Sequence, residues 1–284
     1  MRLFIFLIFC SSCRISFSQD FKKDITYLSS DSLHGRAPGT NDELLAASFI
    51  RKEIQKSKYQ VRFQRFYFLA DDAKIDSAIN IIATLEHRSS DSTIILCAHY
   101  DHLGMGSSRS LEIINRHKIH NGADDNASGV AMVLALGRWL SKQKNIHYNI
   151  LLLFTSAHEE GLFGAKEFVR QNYPETFKLK AVVNFDMVGR LDTSSKTLHI
   201  GDNKKDTFFN NYFLKNNNEQ LYLRLDSNIQ GTDLRFFEPL NVELLNFTTG
   251  VHQDYHKSTD DENKINYPGM KLIYRFLQQL LGQL

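Results

Sequence analysis

The sequence predicts an α/β fold, a three-layer sandwich in which a mostly parallel central sheet carries helices on both faces. Short apolar runs rich in Val, Ile and Leu alternate along the chain with amphipathic segments of helical period. The apolar runs are nearly continuous, which is typical of strands buried on both faces. The chain contains no internal repeat and no low-complexity linker, so a single large domain is expected.

Five strands and five helices are predicted, in alternation. Strands alternating with helices pair in parallel, because each helix returns the chain to the starting edge of the sheet. The predicted strands are 78–85, 93–98, 148–156, 181–186 and 242–247. The predicted helices are 42–56, 127–142, 162–171, 205–216 and 267–281.

The N-terminus has the pattern of a secretory signal peptide. Arg2 precedes an apolar run over 3–9, and small residues follow as far as Ser18. The run is too short to span a bilayer as a helix. We expect residues 1–18 to be cleaved before Gln19, leaving a domain of 19–284 exported to the periplasm or the extracellular space. Anchoring as a lipoprotein through Cys13 is the less favoured alternative, because Cys10 stands where Leu is usual.

Cysteine content and charge exclude some classes of protein. Cleavage after Ser18 would leave Cys97 as the only cysteine, which rules out an internal disulfide. Cys97 lies within an apolar run and is predicted to be a buried thiol. The net charge is +2, with basic and acidic residues dispersed along the chain, so nothing indicates a nucleic-acid partner.

Histidines and acidic residues are grouped in five short blocks, three of which directly follow predicted strands. The carboxyl ends of parallel strands meet at one edge of a sheet, so these blocks are expected to converge. Imidazole and carboxylate suit zinc, and the set suffices for two ions with a base left over, which indicates a hydrolase. The blocks are His99-Tyr100-Asp101, 122–129 (GADDNASG), His158-Glu159-Glu160, Asn184-Phe185-Asp186 and Asp254-Tyr255-His256.

Two of the blocks also have a purely structural explanation. Residues 122–129 form a good helix start, which accounts for Asn126 but not for the adjacent acids Asp124 and Asp125. The pair Glu159-Glu160 would suit the first turn of a helix. We favour metal binding for both blocks, because a carboxylate bridging two cations would explain the adjacent acids, and because Glu159-Glu160 follows a strongly apolar strand and occurs together with the other blocks. The spacing does not distinguish His252 from His256 as a ligand.

The five blocks, together with 33–40 (LHGRAPGT) and 161–165 (GLFGA), resemble the co-catalytic di-zinc aminopeptidase family. The resemblance runs from about Leu28 to the C-terminus and leaves no room for a protease-associated insert. It implies His99 and Asp186 as ligands of one zinc, Glu160 and His256 as ligands of the other, and Asp124 as the bridge. It also implies a cis peptide between Asp124 and Asp125.

The resemblance further implies roles for three residues that do not bind metal. Glu159 would be the general base that takes the proton of a water shared by the ions. Asp101 would hydrogen-bond the second ring nitrogen of His99 and fix its tautomer. Tyr255 would stabilise the oxyanion, although an ordinary packed aromatic explains it equally well.

The predicted function is therefore removal of N-terminal residues from peptides with a free amino terminus. Three alternatives remain open. The family is related to glutaminyl cyclases, which act with a single zinc, and to glutamate carboxypeptidase. A carboxypeptidase for acidic dipeptides would need cationic clamps, for which Arg190 and Arg235 are candidates. A non-catalytic, receptor-like domain is disfavoured because such domains lose ligands.

Overall fold

The computed structural model describes residues 17–70, 73–87, 90–114, 117–172, 178–204, 208–226 and 229–284. The predicted apolar run at 3–9 and Cys13 lie outside the described residues, whereas the predicted cleavage site after Ser18 falls within the first helix. Within the described ranges, no helix has both the length and the apolar character needed to cross a bilayer.

One mixed sheet of eight strands forms the centre of the described molecule, in the order β1-β2-β4-β3-β5-β8-β6-β7. The four central strands β4, β3, β5 and β8 run parallel, while β1, β2 and β6 add antiparallel pairs towards the edges. The strands are β1 (Gln60–Leu69), β2 (Ile75–Leu85), β3 (Ser92–His99), β4 (Asn149–Thr155), β5 (Lys178–Phe185), β6 (Thr197–Asp202), β7 (Tyr222–Asp226) and β8 (Glu243–Thr248).

The five predicted strands are confirmed, and three further strands were missed. The missed strands β1, β6 and β7 lie towards the two edges of the sheet. Strand β1 alternates polar and apolar residues with a half-exposed burial pattern, so it lacks the continuous apolar run used for prediction. Strands β6 and β7 have only six and five residues.

Six α-helices are described, and the five predicted ones are confirmed. The additional helix α1 buries Phe21, Ile25 and Leu28 on one face, at the spacing of an amphipathic helix. The helices are α1 (Phe17–Leu28), α2 (Asn41–Ile54), α3 (Gly129–Leu140), α4 (Phe163–Asn172), α5 (Phe208–Asn216) and α6 (Tyr267–Leu281).

The two faces of the sheet pack into separate apolar cores. Along β3, Ile94 and Leu96 face the larger core with helices α1, α2, α3 and α6, while Ile95 and Cys97 face a smaller core. The smaller core is covered by α4 and by the 3-10 helix Asp233–Leu240. Cys97 is a free, buried thiol, as predicted. The chain therefore forms the predicted three layers.

Candidate metal centre

Side chains from five segments meet beyond the carboxyl ends of β3, β4 and β5. The Nε2 atom of His99 lies 3.3 Å from Oδ1 of Asp125 and 3.7 Å from Oδ1 of Asp186. The Nε2 atom of His256 lies 3.3 Å from Oδ2 of Asp125 and 3.3 Å from Oε2 of Glu159. The carboxylate of Asp125 thus turns one oxygen towards each histidine, as a carboxylate bridging two cations would.

Two polar atoms at the centre of this cluster make no hydrogen bond within the described chain. Among the described residues, His99 Nε2 and Asp125 Oδ2 are buried and make no hydrogen bond. Leaving such an atom unsatisfied costs about 1–3 kcal/mol. Donor atoms of His99, Asp125 and Glu159 lie within 4.8 Å of one another, as do those of His99, His158 and Asp186. The donor set therefore fits divalent cations that prefer imidazole and carboxylate.

Asp124, the predicted bridge, does not reach the cluster. Its Oδ1 accepts hydrogen bonds from Ser128 Oγ at 2.8 Å and from the N–H of Gly189 at 2.6 Å. Its Oδ2 lies 3.2 Å from Nε2 of His252. The structure therefore places Asp125 where Asp124 was predicted. It also separates the two candidate histidines, with His256 in the cluster and His252 beside Asp124.

The local backbone accounts for this shift by one residue. Residues Ala123–Ser128 form one wide helical turn before α3, within which Asp125 and Asn126 leave helical geometry. The cis peptide joins Asp125 to Asn126, rather than Asp124 to Asp125 as the resemblance implied. Asn126 Oδ1 accepts the N–H of Gly129 at 3.1 Å, which confirms its predicted part at the start of the helix. Spacing alone could not show which of two adjacent acids this turn directs inwards.

The acidic pair after β4 shows the same shift. The buried carboxylate of Glu159 has Oε1 at 3.1 Å from His102 Nδ1, and its Oε2 faces His256. Glu160, the predicted ligand, is partly exposed and belongs to neither group of converging donors. Glu159 thus takes the position expected of the ligand, while its predicted role as base has no free oxygen to support it.

His158 is the residue at this site that sequence reasoning missed. Its ring stacks on His99 with centroids 3.8 Å apart, and its Nδ1 lies 3.2 Å from Oδ1 of Asp233. Asp233 is fully buried and also accepts a hydrogen bond of 2.6 Å from Thr155 Oγ1. Burial opposes the charge of Asp233, but the contact with His158 holds the pKa of that carboxyl below its ordinary value. The only sequence signal for His158 was its position immediately before Glu159.

Asp101 supports the cluster in a different way from the one predicted. Nδ1 of His99 lies 3.3 Å from the backbone carbonyl of Asp101 and 3.8 Å from its carboxylate, so the carbonyl is the closer acceptor. The carboxylate instead accepts the N–H groups of His158 at 3.2 Å and Glu159 at 3.1 Å. Burial raises the pKa of Asp101 to about 7. Asp101 therefore anchors the segment that carries Glu159.

Comparison with known proteins identifies the family to which this chain belongs. Residues 80–281, which include all the cluster residues, match peptidase family M28. The chain belongs to peptidase family M28. The M28 chain is 30% identical over 161 residues to the alkaline phosphatase isozyme conversion protein of Escherichia coli. That match covers 54% of this chain and 46% of the relative, so the chain spans less than half of the relative's length.

Solved structures share the M28 fold over nearly the whole chain. A glutaminyl cyclase from Bacteroides thetaiotaomicron superposes with a TM-score of 0.79 at 18% identity, covering 93% of this chain and 97% of that one. A zinc aminopeptidase from Bacillus subtilis superposes with a TM-score of 0.76 at 15% identity, covering 93% and 95%. At such low identity these likenesses establish the fold only, so the activity must be argued from the site.

A buried arginine holds the backbone behind the M28 cluster. Arg36 is fully buried, and its Nε donates to the carbonyl of Tyr100 at 2.7 Å. Its Nη1 donates to the carbonyls of Leu28 and Asn121, and its Nη2 donates to that of Gly122 at 2.8 Å. Burial lowers the pKa of Arg36 to about 10. Arg36 therefore ties β3 to the segment that leads into Asp125.

Two further contacts fix that segment of the M28 domain. Oδ2 of Asp260 accepts the N–H groups of Asp124 at 2.9 Å and Asp125 at 3.0 Å. Gly122 adopts a left-handed φ of +56°, and a Cβ there would lie 2.2 Å from the carbonyl oxygen of Asp125. Only glycine fits this position.

A cavity of about 550 Å³ opens from the M28 cluster to the surface. His158 and Glu159 line its inner end, and Tyr255 lines it while stacking on His256 with centroids 3.9 Å apart. No lysine or arginine occurs among the described lining residues. Arg190 pairs with Asp254, and Arg235 is exposed, so neither candidate clamp lines the cavity.

Proposed function

We propose that this M28 chain is an aminopeptidase that binds two zinc ions. The observation that carries the proposal is the bridging geometry of Asp125, whose two oxygens each face a different histidine at 3.3 Å. His99 and Asp186 would complete one site, and His256 and Glu159 the other. Family membership and the zinc aminopeptidase from Bacillus subtilis with the same fold support this reading.

The chain itself positions the substrate and handles the proton. When bound, the zinc ions would polarise the scissile carbonyl and lower the pKa of the attacking water. His158 lines the cavity, and its Nδ1 is engaged by Asp233, so its Nε2 remains as the atom that receives the proton. It would then pass that proton to the departing amine. Tyr255 lies against His256, where its ring bounds the reacting end of the cavity.

The charges of the cavity disfavour a substrate that is recognised by its terminal carboxylate. Glu159, Asp125 and Asp186 are assigned to the proposed zinc ions, and the described cavity wall carries no lysine or arginine. A carboxypeptidase for acidic dipeptides needs a cationic clamp, and Arg190, one of the two candidates, pairs with Asp254 instead. The cavity therefore lacks the group that a carboxypeptidase would need.

The single-zinc cyclase remains the alternative to exclude by experiment. A cyclase with one ion would leave His99 and Asp186 without a function, although His99 Nε2 is buried without a hydrogen bond in the described structure. We expect elemental analysis of the purified full chain to give two zinc ions per chain. Chelation should abolish release of N-terminal residues from unblocked peptides, and zinc should restore it. One ion per chain, or cyclisation without hydrolysis, would contradict the proposal.

Three neighbouring residues test the division of roles. We expect Glu159→Gln to lose about one zinc ion per chain, because glutamine is a poor ligand. His158→Gln should keep both ions but lose on the order of a hundred- to ten-thousand-fold in kcat, the usual contribution of a general base. Glu160→Gln is the matched control and should change neither. Full zinc content together with a lost kcat in Glu159→Gln would instead return the role of base to Glu159.

We also propose that the protein is exported. The proposal depends on the residues before Gln19, which have the order of a signal peptide. N-terminal sequencing of the secreted or periplasmic fraction should begin at Gln19. An N-terminus at Met1, or an acylated Cys13, would overturn soluble export.

A further inference from the structure

Beyond the metal centre, the cavity is lined by Asn246, Gly201 and Asp226, which belong to one row across the sheet. In register, Asn184 of β5 pairs with Asn246 of β8, Asn246 pairs with Gly201 of β6, and Gly201 pairs with Asp226 of β7. Residues directly paired across strands share one face of a sheet. These four residues therefore form one continuous row, here called the polar floor.

The polar floor interrupts an apolar face. Two residues earlier along the same strands, the paired residues Val182 and Leu244 belong to the smaller apolar core. Asn184 and Asn246 have exposed fractions of only 1% and 5%. Burying a polar side chain costs free energy unless it is hydrogen-bonded, so packing alone would favour apolar residues at both positions.

Some hydrogen-bonding groups of the polar floor have no hydrogen-bond partner within the described chain. Asn184 Nδ2 donates to Asn246 Oδ1 at 2.9 Å. Among the described residues, Asn184 Oδ1 is buried without a partner. Asn246 lines the cavity, and its Nδ2 donates no hydrogen bond within the described part of the chain. Gly201 supplies no side chain beside Asn246, which leaves room above that amide.

The charges at the outer end of the polar floor are already paired. One oxygen of Asp226 lies 3.0 Å from Nδ1 of His199, and the other lies 3.6 Å from Nε of Arg224. Because these acidic and basic groups already pair with one another, neither an incoming cation nor an incoming carboxylate finds an unpaired charge of opposite sign here. The hydrogen-bonding groups left for a ligand are uncharged.

We propose that the polar floor binds the side chain of the substrate's N-terminal residue and selects an uncharged hydrogen-bonding side chain. A carboxamide or a hydroxyl would be preferred to an aliphatic, aromatic or charged group. Asn246, which lines the cavity, is the specificity-determining residue. This inference rests on the proposed aminopeptidase function.

The test compares peptides that differ only in their N-terminal residue. The zinc-loaded full chain is incubated with peptides beginning with Gln, Ser, Leu, Phe, Lys or Glu, and products are followed by mass spectrometry. We expect kcat/KM for Gln and Ser to exceed that for Leu and Phe by about ten- to a hundred-fold, since an apolar side chain leaves the floor unsatisfied. Lys and Glu should also be poor substrates.

A substitution then assigns the preference to the floor. Asn246→Leu should lower the Gln-to-Leu ratio of kcat/KM by about ten-fold or more, with unchanged zinc content. If Asn246→Leu does not fold, the smaller change Asn246→Ala, which removes the amide without adding bulk, should still lower the ratio. Gln220→Leu, at an exposed position outside the cavity, is the control and should leave the ratio unchanged.

The outcomes separate this inference from the proposed function. Equal hydrolysis of Leu and Gln peptides, or an unchanged ratio in Asn246→Leu, overturns the inference and leaves the aminopeptidase function standing. Absence of hydrolysis for every peptide overturns the proposed function and the inference with it. Loss of ammonia from the Gln peptide, without a released amino acid, does the same and indicates cyclisation.

Discussion

The residues of the metal cluster and the residues that lie behind them differ in how their polar atoms are satisfied. His99 Nε2 and Asp125 Oδ2 face other cluster side chains and make no hydrogen bond among the described residues. Behind them, Arg36 donates to backbone carbonyls from all three of its nitrogens, and Asp101 accepts two backbone N–H groups. The proposed zinc ions would complete the cluster, whereas the chain itself supplies the partners of Arg36 and Asp101. Substitutions should therefore separate function from stability.

The largest effect is expected for Asp125, compared with its neighbour Asp124. Asp125→Asn should lose zinc and lower kcat/KM by well over a hundred-fold, because the bridge contacts both proposed ions. Asp124→Asn should cost about ten- to a hundred-fold in zinc affinity, as is typical of groups that only support a ligand. Zinc titration and peptide hydrolysis measure both variants. A larger loss in Asp124→Asn would restore Asp124 as the bridge.

Arg36 tests the residues behind the cluster. Arg36→Met keeps an apolar stem but leaves the carbonyls of Leu28, Tyr100 and Asn121 without their donor. At about 1–3 kcal/mol for each buried unsatisfied group, we expect a loss of about 3 kcal/mol or more in the free energy of unfolding. Arg235→Met, at an exposed position, should stay within about 0.5 kcal/mol. A loss of activity in Arg36→Met with unchanged stability would contradict its supporting role.

The same contrast explains which features of the fold and of the site could be predicted from the sequence. The central strands were predicted because burial on both faces leaves a continuous apolar run, and the blocks after them do meet at one edge. The sequence could not predict which of two adjacent acidic residues faces the cluster. Asp125 rather than Asp124, and Glu159 rather than Glu160, face the cluster because of a distorted turn at Ala123–Ser128 and a tight turn after His158.

The supporting residues carried almost no signal in the sequence. Arg36 lies within the 33–40 block, but nothing in its spacing shows that three of its partners are carbonyls more than sixty residues away. Asp233 and His158 meet across 75 positions for the same reason. Contacts between distant segments depend on the packed layers, which a one-dimensional pattern does not contain.

Asp101 should show an intermediate effect. Asparagine keeps one acceptor but turns an amide N–H towards either His158 or Glu159, so one of the two backbone N–H groups loses its partner. We expect Asp101→Asn to lose about 1–3 kcal/mol in the free energy of unfolding and to bind zinc more weakly, because Glu159 is less firmly placed. Chemical denaturation and zinc titration measure the two effects. Unchanged zinc affinity would show that Asp101 only stabilises the fold.

The smallest effect is expected for Asp202, a buried acid at the end of β6. Asp202 lies outside the metal cluster, so it shows how burial changes the pKa of an acid that is not a proposed metal ligand. Burial, with a contribution from Glu243, raises its pKa to about 6 from an ordinary value of 3.8. The folded state thus binds this proton more tightly than the unfolded state, so protonation stabilises the fold.

Asp202→Asn removes the titration while keeping an acceptor for the N–H of Lys204, and the neighbouring Asn210 can turn its amide to match. Relative to Asp202→Asn, the wild type should therefore gain about 1 kcal/mol in the free energy of unfolding as the pH falls from about 7.5 to about 5. Urea unfolding of both proteins at the two pH values gives this difference, since groups common to both cancel. A difference that does not change with pH would mean that Asp202 keeps an ordinary pKa when folded, and burial alone would then not separate the supporting acids from exposed ones.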